Sequence, residues 1–207
     1  DALRRAGSPF RIIFGLNLNG VIADALRRAG SPFRIIFGLN LNGVIADALR
    51  RAGSPFRIIF GLNLPQIAEI AMKTPHSREL AEHLWSNTTT RESMMLAPML
   101  VDRGGFTADD ARRWIGSLTS HEVADVMCLK LLRHMPYALP LADELALADD
   151  DMRMYVGLRL VFNLVSADPK RALDYAVRSL ESGSLGGNCR TVALQLAECR
   201  FLLGEEE

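Results

Sequence analysis

The chain has 207 residues, 49% of them hydrophobic and 23% charged, a balance that excludes extended disorder and is enough for one sizeable core. Its 24 basic and 24 acidic residues cancel unevenly: residues 1–64 hold nine Arg and three Asp, leaving 15 Lys plus Arg against 21 Asp plus Glu in residues 65–207. That acidic balance counts against indiscriminate nucleic-acid binding, which rests on neutralising phosphates, but still permits a local basic stripe.

The opening "DALRRAGSPFRIIFGLNLNGVIA" spans Asp1 to Ala23, repeats unchanged from Asp24 to Ala46 and begins again at Asp47. Natural solenoid repeats keep only their packing positions alike. Here Arg4, Arg27 and Arg50 match as strictly as Ile12, Ile35 and Ile58. The unit "NGVIADALRRAGSPFRIIFGLNL" fills 19–41 and 42–64, and only the second runs on into "PQIAEIAMK". We therefore read residues 1–41 as a duplicated, peripheral segment, on a chain that starts without methionine, and residues 42–207 as the domain. Deleting residues 1–41 is expected to leave the melting temperature nearly unchanged. Asn-Gly in "LNLNGVI" also fits a hairpin turn. A helix fits better, with Asn42 as its cap, Val44, Ile45, Ala48, Leu49 and Ala52 on one stripe and Gly53 as its stop. If one such helix docks on the body, the spare copies compete for its place.

From Pro65 the chain reads as helix after helix. "PQIAEIAMKT" carries Pro65 in its first turn and Ile67, Ile70 and Ala71 on one side. "SRELAEHLWSN" starts at Ser77 and buries Leu80, Leu84 and Trp85. "TTRESMMLAPMLV" is expected to open with a capping box of Thr89 and Glu92 and to kink or step at Pro98. Thr107 with Asp110 and Thr119 with Glu122 form further boxes, ahead of "ARRWIGSL" and "VADVMCLKLLRH". "DDDMRMYVGLRLVFNLV" is the most apolar helix and is expected to be the most buried. Asp168 and Pro169 start the next, and glycines 183, 186 and 187 precede the last, "CRTVALQLAECRFLL". No convincing strand competes after residue 64. Helices with short polar breaks fit antiparallel pairs, and diverged pairs of about 30 to 45 residues favour an all-α, HEAT-like α-solenoid over a bundle.

These strings resemble the AlkD-like DNA alkylation repair family of HEAT-like helical proteins. The resemblance runs over about Asn42 to Leu203, through "NGVIADALRRAG", "FGLNLPQIAEIA", "SRELAEHLWSNTTTRESMMLAPMLV", "ADDARRWIGSLTSHEVADVMCLKLL" and "DDMRMYVGLRLVFNLV". It implies DNA held on a concave helical face and, in active members, release of N3- or N7-alkylated purines. A carboxylate near the sugar would stabilise oxocarbenium charge and position water, and aromatic faces would favour the cationic base. Active members place an aspartate one turn after a tryptophan, with Arg and Trp on later helices. Asp125 falls at the aspartate and His121 at the tryptophan. The family's arginine is expected near Met154 or Tyr155, with Arg153 and Arg159 pointing elsewhere, and the later Trp near Leu194 or Gln195. Trp85 and Trp114 match structural positions. The departures put glycosylase activity in doubt, so a noncatalytic scaffold holding a protein partner stands as the alternative.

On their own residues, Cys128, Leu129 and Leu132 share the face of Asp125, so a half-buried carboxylate is expected. A His121–Asp125 pair one turn apart could raise or orient the imidazole. Equally, Asp125 could cap a neighbouring helix and His121 stand exposed in a first turn. Arg112 and Arg113, with Lys130, Arg133 and Arg103, form the best candidate basic patch for DNA, or else a solvated face. The methionines, Met127, Met135, Met152 and Met154 among them, read as core at helical spacing rather than as an adaptable groove. None of His76, His83, His121 and His134 lies three or four residues from another His or Cys, so no metal site is expected. Cys128, Cys189 and Cys199, odd in number and widely spaced, read as reduced thiols. There is no Gly-rich phosphate loop, Ser-His-Asp order or CxxC pair, so no cofactor is expected. With no run of 18 apolar residues and no signal-peptide order at the start, no membrane segment is expected and a cytoplasmic location is inferred.

Overall fold

Asn42 does cap a helix: its side chain accepts a hydrogen bond from Ile45 N at 3.1 Å, and α1 runs Gly43–Arg51. The helix ends where Gly53 takes φ +80°, a backbone conformation that costs glycine little. The hairpin reading is thereby set aside for this copy, while the earlier ones, save Phe37, Gly38 and residues 40–41, lie outside the described residues. This computed structural model describes residues 37, 38, 40–181 and 185–199. The chain divides into two compact units, residues 1–105 and 106–207.

In the first unit α1 is followed by α2 (Leu64–Met72), α3 (Arg78–Ser86) and α4 (Arg91–Leu100). Asn63 and Gln66 close a reciprocal capping box ahead of α2, with Pro65 in its first turn as expected. Ser77 caps α3 through Leu80 N. α4 packs against both α2 and α3 and is buried at nine of its ten positions. It, rather than the "DDDMRMYVGLRLVFNLV" helix, is the most buried element, because it has helices on two sides and a loop across its start.

That loop overturns two expectations. Glu92 does not join Thr89 in a capping box. Instead, Ile58 pairs with the start of α4 in a lone parallel bridge, and the Glu92 carboxylate accepts hydrogen bonds from Phe60 N at 3.1 Å and Gly61 N at 2.9 Å. Two backbone donors that would otherwise be left without acceptors at this packed junction outcompete the helix's own first turn. Arg91 donates to Glu92 and to Leu62 O, both at 2.9 Å. The apolar stripe of α1 also differs from expectation. Ala46 is its buried residue, while Val44 is 79% exposed. A Cβ on Gly61 (φ +79°) would lie 2.2 Å from Asn42 O and 2.8 Å from Ala46 N, so this close approach turns the Ala46 side of the helix inward. Finally, Phe37 belongs to the copy expected to be peripheral, yet it is fully buried, its ring 5.6 Å from that of Phe60.

The second unit holds α5 (Ala108–Ile115), α6 (His121–Lys130), α7 (Ala138–Ala146), α8 (Asp151–Asn163), α9 (Pro169–Glu181) and α10 (Gly187–Glu198). The Thr107–Asp110 box is present. The Thr119–Glu122 box is not: Ser120 takes the N-cap position, without a side-chain bond, and Thr119 falls one residue outside. α8 is the hub, packing against α5, α6, α7, α9 and α10. Gly157 permits this, since a Cβ there would sit 2.2 Å from Ala146 N on α7. Trp114 is fully buried and meets Phe106 edge to face at 5.0 Å, a structural role as expected. Met127 and Met135 are core. Among the described residues all regular structure is helical apart from the single bridge, and no helix is long and apolar enough to cross a membrane.

Candidate functional site

α6, α8 and α10 place a polar and aromatic cluster together in the second unit. Asp125 is its centre. Arg159 grips the carboxylate in a fork, Nε to Oδ1 at 2.6 Å and Nη2 to Oδ2 at 3.0 Å, and the Tyr155 hydroxyl donates to Oδ1 at 2.8 Å. Charge-assisted forked pairs of this kind are directional as well as strong. The pair is neither dry nor free, with side-chain exposures of 22% for Arg159 and 36% for Asp125.

The cluster exists because α8 presents Tyr155, Arg159 and Phe162 at i, i+4 and i+7, one stripe of the helix. The Arg159 guanidinium stands 5.9 Å from the Tyr155 ring centroid and 5.7 Å from that of Phe162, within cation–π range of both. Its remaining arm reaches Gln195 Oε1 on α10 at 3.4 Å. His121 meets the Tyr155 ring edge-on at 4.5 Å, and Asn188 Nδ2 lies 3.3 Å from both imidazole nitrogens.

Burial and the hydrogen bond to Asp125 push the Tyr155 phenol well above its ordinary range, so it remains a donor at neutral pH. The Asp125 hydrogen bond holds the Arg159 proton more tightly still. Burial drives the Cys128 thiol up, and its Sγ points to Val156 O at 3.7 Å, which makes it a core thiol without nucleophilic character.

Asp125 is half-buried as expected, but it neither caps a helix nor pairs with His121. Its oxygens are taken by Tyr155 and Arg159, and His121 turns to Tyr155 and Asn188. Arg159, expected to point elsewhere, is the principal partner of Asp125. Sequence reasoning missed Tyr155, Arg159, Asn188 and Gln195 as members of the cluster. The available signal was an arginine at the middle of an otherwise apolar helix.

The candidate basic patch is engaged differently. Arg112 on α5 clasps Glu144 on α7 through Nε and Nη2 and also bonds Asp109. That contact holds the Glu144 carboxyl below its ordinary range. Arg113 pairs with Asp110 at 3.3 Å. Lys130 ends α6 and Arg133 stands exposed in the turn after it. Among the described residues no group of three or more His, Cys, Asp or Glu could hold a metal ion.

No family model matches the chain, and no curated protein matches it. A solved structure does: one described as "a new family of proteins related to the HEAT-like repeat DNA glycosylases with affinity for branched DNA structures". The identity is 16%, the TM-score 0.66, and the match covers 87% of this chain and 74% of that one. The chain thus has the HEAT-like repeat fold.

Proposed function

We propose that this protein binds DNA by its backbone and shape, and that Asp125 holds the binding cluster together and does not drive release of alkylated purines. The observation that carries this reading is the position of Arg159. Excision of a cationic purine calls for an uncompensated carboxylate and aromatic faces open to a cation. Here the carboxylate accepts three hydrogen bonds, and the cation against Tyr155 and Phe162 is the protein's own guanidinium. Tyr155, with its proton firmly held, is no base. The affinity of the structural neighbour for branched DNA supports a DNA-directed role, and Asn188, Gln195 and His121 offer hydrogen-bonding groups beside Arg159.

The test pairs two assays on the full chain. A four-way junction and a matched duplex are titrated across a salt series, and DNA carrying N7-methylguanine is assayed for base release alongside Asp125→Asn. We expect junction binding that weakens steeply with salt and no base release. Release that falls at least tenfold in Asp125→Asn, about 1.4 kcal/mol of barrier, would instead assign excision to Asp125. A flat salt response without junction preference would favour the protein-binding scaffold, the reading that the acidic balance of residues 65–207 supports.

A further inference from the structure

The same pentapeptide, Phe-Gly-Leu-Asn-Leu, occurs at 14–18, 37–41 and 60–64, and the described residues of the last two copies differ in conformation and lie side by side. At 60–64 it lies across the start of α4, with Glu92 bonding Phe60 N and Gly61 N, Arg91 bonding Leu62 O, and Gly61 in the left-handed region. In the copy at 37–41, Asn40 N is bonded to Phe37 O and Leu41 N to Gly38 O, and Gly38 is not left-handed. Phe37 packs directly on Phe60.

Glu92 recognises this segment through backbone N–H groups and through a glycine that admits Asn42 O and Ala46 N at contact distance. Both requirements are met equally by either copy, and each copy is preceded by the same "NGVIADALRR" helix sequence, at 19–28 and 42–51. We propose that the Arg91–Glu92 pair is a receptor for either copy. The chain then has a second register, in which Phe37 and Gly38 replace Phe60 and Gly61, residues 19–28 replace α1, and residues 42–64 loop out. The contacts with the receptor are the same in both registers. What separates them is closure of the extra loop, an entropy cost that grows only slowly with length, the Asn63–Gln66 cap of α2, which goes with residues 42–64, and the loss of Phe37 from its present place.

The experiment is thermal unfolding of the full chain with glycine substitutions. Gly61→Ala is strained by φ and by a 2.2 Å approach to backbone, so it removes the present register. Gly38→Ala meets nothing closer than 4.0 Å and leaves that register intact. With a second register, Gly61→Ala alone is partly rescued, Gly38→Ala alone is nearly silent, and the double variant melts about 5 °C or more below the sum of the two. Ala23→Glu supplies the control. Ala23 is the counterpart of Ala46, so adding this change to Gly61→Ala should remove the rescue, whereas direct coupling between Gly38 and its neighbour Phe60 would be unaffected by it. The proposal is overturned if the two glycine effects add, if Gly61→Ala alone falls as far as the double variant or shows no cooperative transition, or if the synergy persists with no response to Ala23→Glu.

Discussion

Two arginine–carboxylate pairs, Arg91–Glu92 in the first unit and Arg159–Asp125 in the second, differ in their relation to water. Arg91 and Glu92 in the first unit are 4% and 0% exposed, adjacent in sequence, and both also bond backbone groups of residues 60–62. Arg159 and Asp125 in the second lie on different helices, remain partly exposed, and are bordered by side-chain donors and aromatic rings. A dry pair whose hydrogen bonds end on backbone fixes a chain path. A wet pair fringed by side chains can meet a ligand. The same chemistry thus performs an architectural task in one place and is available for recognition in the other.

The sharpest way to break this comparison is to remove one charge from each pair. Glu92→Ala removes the buried carboxylate that Arg91 and two backbone donors share, and is expected to cost about 3–5 kcal/mol, read from urea unfolding. Phe37→Ala should cost about 3 kcal/mol through loss of a fully buried ring, whereas deleting residues 1–36 should change stability little. That contrast would move the inner edge of the dispensable segment from residue 41 to residue 36. Arg159→Ala should lower stability by only about 1–2 kcal/mol, because water can reach the freed carboxylate, while reducing junction affinity more than duplex affinity. Equal losses for Arg159→Ala and Glu92→Ala would dissolve the distinction between the pairs.

The smallest effect concerns pH. Tyr137 donates its hydroxyl to Phe106 O and Thr107 O at 3.1 and 3.0 Å, and burial raises the phenol from 10.0 to about 12. A raised acid pKa means that the folded state retains a proton which the unfolded chain has already lost. Its contribution is therefore complete below pH 10 and disappears as pH rises toward 12. Tyr137→Phe should flatten the decline of the urea midpoint across that window, and an unchanged decline would remove Tyr137 from it.

Features specified within a few residues were legible in the sequence: the caps at Asn42, Ser77 and Thr107, Pro65 at a helix start and Gly53 at a helix end. The errors share one cause. The Thr89–Glu92 box satisfies the local pattern, but Glu92 is claimed by backbone donors 31 and 32 residues upstream. Likewise, periodicity places Arg159 on a face of α8 without naming a partner 34 residues away on α6. The buried Phe37 was obscured differently: identity between copies suggested that they are interchangeable, and only packing distinguishes them. Asp125 was found through family resemblance, and the side chains that neutralise it were found only in three dimensions.

Gly157 sits on α8 two residues from Tyr155 and two from Arg159, with its bare α-carbon against the backbone of α7. Any side chain there would have to retreat from a 2.2 Å approach to ordinary contact, displacing α8 by about an ångström. Both site residues ride on that helix and would travel with it, while their partners on α6 and α10 would not. Position 157 therefore acts as a set-screw behind the cluster: it adjusts the fit of the Asp125 clasp from the opposite side of the helix, without contributing an atom to the surface that a ligand meets.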